Sequence, residues 1–319
     1  MIKKLIKWLD NHAVQIADTP SQQADWRQID LWRVIPFVLI HLACFAVFWV
    51  GFSWFAVGFA IALYALRMFA ITGFYHRYFS HKTFRTSRLF QLLGAIAGAT
   101  AVQRGPLWWA SHHRNHHVNA DELEDAHSPV QHGFLWSHLG WSHLGWFLSN
   151  QHFATRTERV KELVRFAELR FLDRFDVLVP LVFAVCIYLF GFWLEVKYPS
   201  LQTNGLQLLV WGFAISTVAL YHATFTVNSL AHVWGKRRYA TRDHSRNNGW
   251  IAFLTLGEGW HNNHHHFPGS ARQGFYWWEI DLTYYILKLL STCGLIWDLR
   301  TIPKEVRESR KIQSHDHKK

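Results

Sequence analysis

Between Val34 and Tyr75 the chain carries one charged residue, Arg67. A single straight helix over that run would be about 63 Å long, roughly twice the hydrocarbon thickness of a bilayer. The run must therefore fold back, and Gly51-Phe52-Ser53 is the natural turn. Arg67 lies near the far end of the second arm, where its stem is expected to snorkel to the interface. A second pair follows: Val177 to Val196 has only Glu195, at its end, and Leu206 to Val227 has no charge. The polar connector between them holds Pro199, Ser200, Asn204 and Gly205. The expectation is an all-α membrane protein, one domain over residues 1–319, with four transmembrane helices in two hairpins (34–51, 53–75, 177–196 and 206–227).

Charge sets the expected orientation. Lys and Arg number 33 against 22 Asp and Glu, and all but Arg67 and Lys197 fall in residues 1–33, 76–176 and 228–319. The positive-inside rule puts those segments and both termini in the cytoplasm, at the inner membrane of a bacterium or the endoplasmic reticulum of a eukaryote. A basic chain can also bind nucleic acid, but the apolar runs favour a bilayer, and no nucleic-acid partner is expected. Leu89 to Val102 is apolar but too short to span, so an interfacial or re-entrant helix is expected. The start, Met1 to Lys7, reads as an amphipathic interfacial segment rather than a cleaved signal. Trp32, Trp54, Trp108, Trp109, Trp193 and Trp211 suit headgroup anchoring, with core packing as the alternative for several of them. Cys44, Cys186 and Cys293 have no metal-ligand spacing and read as small core residues. The tandem repeat Ser137-His138-Leu139-Gly140-Trp141-Ser142-His143-Leu144-Gly145-Trp146 is too short for a solenoid unit, and we have no physical account of it.

Four polar clusters border these runs. They are His76 with His81; His113, His116 and His117; Asn228 with His232; and His261, His264 and His265. Imidazole is the commonest protein metal ligand, and residues at i, i+3 and i+4 share a helix face, so each set is expected to offer its rings to one point. His76 and His81 break the rule, being about 140° apart on an ideal helix. Either the helix unwinds there or the two rings bind from different heights. Nine imidazoles exceed one metal's needs, so two metals sharing them is the economical count, with Asn228 or water filling a position. An all-imidazole set suits iron, copper or zinc. Carboxylates outside the rings would moderate the charge and orient the imidazoles; Asp121, Asp125 and Glu258 are the candidates, with His127 alongside them. Asp121 to Asp125 also reads, more readily, as a solvated acidic loop. His138 is intermediate, and His12, His41, His112, His222 and His315 are read as structural.

From about Thr72 to Arg300 the sequence resembles the integral-membrane fatty-acyl desaturases, closest to the stearoyl-CoA desaturase type. The resemblance rests on H-x4-H, H-x2-H-H, N-x3-H and G-E-G-W-H-x2-H-H together. It implies a two-iron centre that activates dioxygen and a cis double bond made in a saturated acyl chain, with the delta-9 position as the expected site. It assigns the nine histidines as ligands, brings Asn228 to one iron through water, and projects two long helices into the cytoplasm, ending near His76 and Asn228. Gln103 and Trp109 match positions that shape the family's bent acyl tunnel. Two departures bear on the carrier. Ser111-His112 stands where the animal enzymes have Arg-Asp, and Ser149-Asn150-Gln151 where basic residues meet coenzyme A phosphates. Acyl-CoA is favoured, acyl-lipid stays open, and Arg85, Arg88 or Arg156 are available for a phosphate. No haem-binding, iron–sulfur or dinucleotide motif is visible, so electrons are expected from a separate cytochrome b5-like or ferredoxin-like protein and its reductase. The rivals are a membrane di-iron hydroxylase or ketolase, which often has H-x3-H in the first box, and a non-catalytic metal binder or transporter, which usually places ionisable groups at mid-membrane.

Overall fold

The computed structural model describes residues 9–11, 31–123, 125, 128–139 and 155–312. In chain order its main helices are α1 (Leu31–Cys44), α2 (Trp54–Ser80), α3 (Arg88–Ala99), α4 (Pro106–Asn119) and α5 (Ala167–Arg174). They continue as α6 (Leu178–Lys197), α7 (Gly205–His232), α8 (His261–His266) and α9 (Leu282–Thr292). The only sheet among the described residues is a ribbon of β1 (Arg85–Thr86) antiparallel to β2 (Ile296–Trp297), with Arg85 opposite Trp297. The fold is mostly helical, as expected.

Three helices, α2, α6 and α7, are long and apolar enough to cross a membrane. The first predicted span, 34–51, is shorter than that. Its helix α1 contains Pro36 and ends at Cys44, and a separate helical turn, Val47–Val50, follows. Proline removes a ladder donor and disfavours a long uninterrupted helix. The predicted turn is where expected: Gly51 has φ 64°, and Ser53 caps α2 by accepting from Ala56 N at 3.1 Å. Ser53 Oγ also donates to Gln207 Oε1 at 2.8 Å, tying this turn to α7. The second hairpin closes through a 3₁₀ turn at Pro199–Leu201, with Asn204 capping the start of α7.

At 27 residues, α2 is about 40 Å long, more than the hydrocarbon layer requires. Its second half, Ala70–Ser80, winds as a π-helix and is buried on nearly every side. The short helix α3 lies flush against it, because a Cβ on Gly94 would collide with the Phe74 ring. Outward, Leu89, Leu93 and Ile96 form an exposed apolar stripe on α3, in keeping with the expected interfacial helix.

Arg67 does not snorkel. It is 1 % exposed and donates into the bundle, to Thr217 Oγ1 at 2.7 Å, to Ser216 Oγ and to the Thr100 carbonyl. Hydroxyls from α7 satisfy the guanidinium where it stands. The cysteines are not core residues either, since Cys186 and Cys293 are exposed and Cys44 is half-buried; all three are free. Trp54 and Trp193 face outward, as anchoring residues would, and Trp211 donates to the Gly51 carbonyl at 2.9 Å. Residues 1–7, His12, His127, His315, Ser149-Asn150-Gln151 and most of the tandem repeat lie outside the described residues.

Candidate metal centre

Four elements deliver the histidines. The end of α2 carries His76 and His81, α4 carries His113, His116 and His117, the end of α7 carries His232, and α8 carries His261, His264 and His265. The geometry that the sequence left open is settled by the π-winding of α2. His81 N donates to the His76 carbonyl at 3.2 Å, a five-residue step, so the two rings stand one above the other with centroids 4.9 Å apart.

The short helix α8 is held by its two asparagines. Asn262 Oδ1 accepts from Arg238 N and Tyr239 N, both at 2.8 Å. Asn263 Nδ2 donates to Glu279 Oε2 and the Gln273 carbonyl, both at 2.9 Å. The asparagines therefore anchor one side of α8 and leave the histidines for the other. At α4, Gly105 precedes the helix with no side chain to cap it, and Asp173 of α5 accepts from Trp108 N at 2.7 Å instead.

The nine rings form two adjacent groups. His76, His81, His113, His117 and His264 make one, and His116, His232, His261 and His265 the other; within each group, nitrogens lie within 4.8 Å of one another. This corrects the expectation that each triplet serves a single point. On α4 the i, i+4 pair His113 and His117 joins the first group while His116 turns to the second. On α8 the pair His261 and His265 joins the second group while His264 turns to the first. The interleaving keeps the groups close, with the His117 and His265 centroids 4.6 Å apart. Nε2 atoms face one another inside the first group: His81 to His113 at 2.8 Å, His117 to His264 at 2.9 Å and His76 to His264 at 3.1 Å.

Four carboxylates orient the rings from outside. Glu258 Oε2 lies 2.5 Å from His76 Nδ1, Asp121 Oδ2 2.9 Å from His232 Nδ1, Asp125 Oδ2 3.1 Å from His116 Nδ1 and Asp243 Oδ2 2.8 Å from His265 Nδ1. Each accepts a hydrogen bond from Nδ1–H and leaves the Nε2 lone pair pointing inward, the arrangement that prepares imidazole for a metal. Asp121 and Asp125 are thus buried carboxylates and not a solvated loop, although Glu122 between them is exposed. Burial, joined by the neighbouring histidines, holds the His81, His113, His117, His261 and His264 rings well below the usual imidazole range. Burial also lowers His265, against the pull of Asp243. Rings held neutral at ordinary pH are rings able to ligate. Burial would raise the Asp243 and Glu258 carboxyls, but His265 for the one, and His76 with Arg77 for the other, hold both below the usual range. One further detail fits a metal: His265 Nε2 is buried with no hydrogen-bond partner among the described residues, a lone pair that an ion would use.

Sequence reasoning missed several supports. Asp243 lies 22 residues from His265, with no spacing motif. Gln273 Nε2 donates to Glu258 Oε2 at 2.9 Å and approaches His76 Nδ1 at 3.4 Å. Arg77, fully buried, bonds Glu258 at 3.1 Å and Asp281 at 2.9 Å. An arginine inside the first cluster and a carboxylate beyond the fourth were the available signals.

Beside the rings lies a cavity lined by Ile71, Thr72, Gln103, Trp109, Thr224 and Phe225, together with Asn228. His76 and His113 of the first group and His261 of the second border it, so one space reaches both groups. Trp109 stacks on His113, centroids 4.9 Å apart at 21°. Gln103 Nε2 donates to Thr224 Oγ1 at 3.0 Å. Its neighbours Val102 and Arg104 have φ of 60° and 71°, a strained backbone for side-chain-bearing residues, held by Tyr221 OH on the Val102 carbonyl at 2.7 Å. Gln103 and Trp109, matched to tunnel positions by the resemblance, line this cavity together with Asn228. Elsewhere, among residues read as structural or intermediate, His222 hydrogen-bonds to both His41 and His138, each at 3.3 Å. Of the residues named for a phosphate, Arg85 pairs with Asp298, Arg88 with Glu168, and Arg156 bonds Asn115.

Residues 52–291 match the fatty acid desaturase family. A palmitoyl-monogalactosyldiacylglycerol delta-7 desaturase of Arabidopsis thaliana is 38 % identical over 92 % of this chain and 75 % of its own length. An acyl-CoA 5-desaturase of Anemone leveillei is 37 % identical over 89 % of this chain and 84 % of its own. A delta-9 acyl-lipid desaturase of Arabidopsis thaliana is 35 % identical over 89 % of this chain and 88 % of its own. With its histidines gathered into two groups beside an apolar cavity, and with these relatives, the chain belongs to the fatty acid desaturase family.

Proposed function

We propose that the chain is an O2-dependent acyl desaturase that puts a cis double bond into a saturated acyl chain, with acyl-CoA as carrier and delta-9 as position. The observation that carries this reading is that one cavity touches rings of both histidine groups. An acyl chain lying there presents adjacent methylenes to both. The nine histidines would hold two irons, with Asn228 approaching one through water. That pair, when loaded, would supply the oxidising power to remove two hydrogens, which leave in the two waters formed from dioxygen with two protons and two electrons from a separate donor protein.

This chain's own residues do the positioning. Gln103, fixed to Thr224, and Trp109, stacked on His113, shape the bend and decide which methylenes face the rings. Holding a flexible substrate in one pose supplies a large part of such a rate enhancement. The buried apolar walls keep water away from the reacting carbons. Glu258, Asp121, Asp125 and Asp243 hold the Nδ1 protons and fix the tautomers.

In the bilayer, α2, α6 and α7 span. The paired apolar segment Val34–Val50 completes a four-span, two-hairpin arrangement with the histidines and both termini on the cytoplasmic side. The test is expression in a host lacking its own desaturase, followed by mass spectrometry of coenzyme A esters and of glycerolipids. A delta-9 double bond appearing first in the acyl-CoA pool supports the proposal. A hydroxylated product would reassign the chemistry, and a double bond appearing first in lipid would reassign the carrier.

A further inference from the structure

A second cavity, of about 590 Å³, lies between the end of α2, β1, the start of α3 and β2, and shares no lining residue with the cavity at the histidines. Its wall carries five cations, Lys82, Arg85, Arg88, Arg165 and Arg300, against two carboxylates, Glu162 and Asp298. Lys82, Arg85 and Arg88 are answered by Glu162, Asp298 and Glu168. Arg165 and Arg300 have no carboxylate partner among the described residues, and both are exposed.

A separate observation points the same way. Gln91, 3 % exposed, lines this cavity. Its Oε1 accepts from Tyr78 OH at 2.9 Å, while its Nε2 is buried with no hydrogen-bond partner among the described residues. A buried amide donor without an acceptor is unfavourable unless a ligand supplies one. The unmatched groups, two guanidiniums and one amide N–H, are all donors. Their complement is a group that only accepts and carries negative charge.

The surroundings say where such a group comes from. Trp297 at the rim is exposed, and the apolar stripe Leu89, Leu93 and Ile96 runs outward from Arg88 along α3. Cations and tryptophan beside an exposed apolar helix face make a membrane–water interface. We propose that this cavity binds the phosphate of an anionic phospholipid headgroup, with the acyl tails lying along α3. The site is independent of the chemistry at the histidines.

The experiment uses the full chain in nanodiscs of phosphatidylcholine with or without phosphatidylglycerol, and native mass spectrometry to count phosphatidylglycerol retained on release. The wild type should retain it selectively. An Arg165→Ala/Arg300→Ala variant, altered only at exposed positions, should retain about tenfold less. Gln91→Glu, which sets a carboxylate at the cavity floor, should also lose it. Equal retention by wild type and both variants overturns the proposal. So does release of the lipid by inorganic phosphate at equal concentration, which makes this a site for free anions, or by free coenzyme A, which gives it to a substrate carrier.

Discussion

His81 sits one π-turn beyond His76, its backbone N–H on the His76 carbonyl at 3.2 Å, and both rings enter the same five-ring group. Removing the outer ring therefore affects one group only. His81→Ala should weaken iron binding at that group alone, so that bound iron falls below two per chain while the four-ring group keeps all its members, and unsaturated product should be lost. Elemental analysis of the purified, iron-loaded protein reads this directly. Wild-type iron content in the variant would remove His81 from the ligand set.

Asp243 acts through His265, whose Nδ1 lies 2.8 Å from its Oδ2. Asp243→Asn keeps the shape but can present its amide to Nδ1, which disfavours the tautomer with a free Nε2 lone pair. Metal affinity of the four-ring group should fall about 10–100-fold, the usual cost of losing such a partner. Competition with a chelator of known affinity measures it, and equal retention by mutant and wild type would falsify the orienting role.

These two cases show what is legible in a sequence of this kind. The i, i+4 pairs His113 with His117 and His261 with His265 were readable, because α-helical faces follow from spacing. Their division between two groups was not, since it depends on how α4 and α8 interleave in space. The pairing of His76 with His81 was hidden because spacing arguments assume α-helical winding, and Ala70–Ser80 winds more widely. Asp121 and Asp125 were misjudged as solvated because local polarity does not reveal that His232 and His116 descend onto them. Hydropathy over Val34–Val50 reads as one continuous arm because Pro36 and the break after Cys44 leave its apolar character unchanged. Arg67 was assigned to the interface because its hydroxyl partners lie about 150 residues away.

Trp109 lines the cavity beside His113, with ring centroids 4.9 Å apart. Trp109→Ala should widen the cavity at the rings and let a bound acyl chain slide past them. The product double bond should move along the chain or spread over several positions, with total conversion down about tenfold as positioning is lost. Gas chromatography with mass spectrometry locates the bonds. An unchanged product profile would make Trp109 a packing residue.

Asp173 links pH to the histidine-bearing helix. Its Oδ1 caps α4 at Trp108 N and its Oδ2 accepts from Thr155 at 2.5 Å. Burial pushes its carboxyl up to about 6, with Asp176 adding to the rise and the two hydrogen bonds opposing it. A carboxyl that holds its proton more tightly when folded stabilises the fold below its ordinary value near 4 and loses that contribution as pH rises to about 6. Asn at this position can accept from Trp108 N and donate to Thr155, and it does not titrate. The stability of Asp173→Asn relative to wild type should therefore increase between pH 4 and 6, by up to about 3 kcal/mol, and stay level above that window. Thermal unfolding of both proteins in detergent across that range supplies the comparison. Parallel curves would mean that Asp173 titrates alike in the folded and unfolded chain, and that α4 is capped by an ordinary carboxylate throughout.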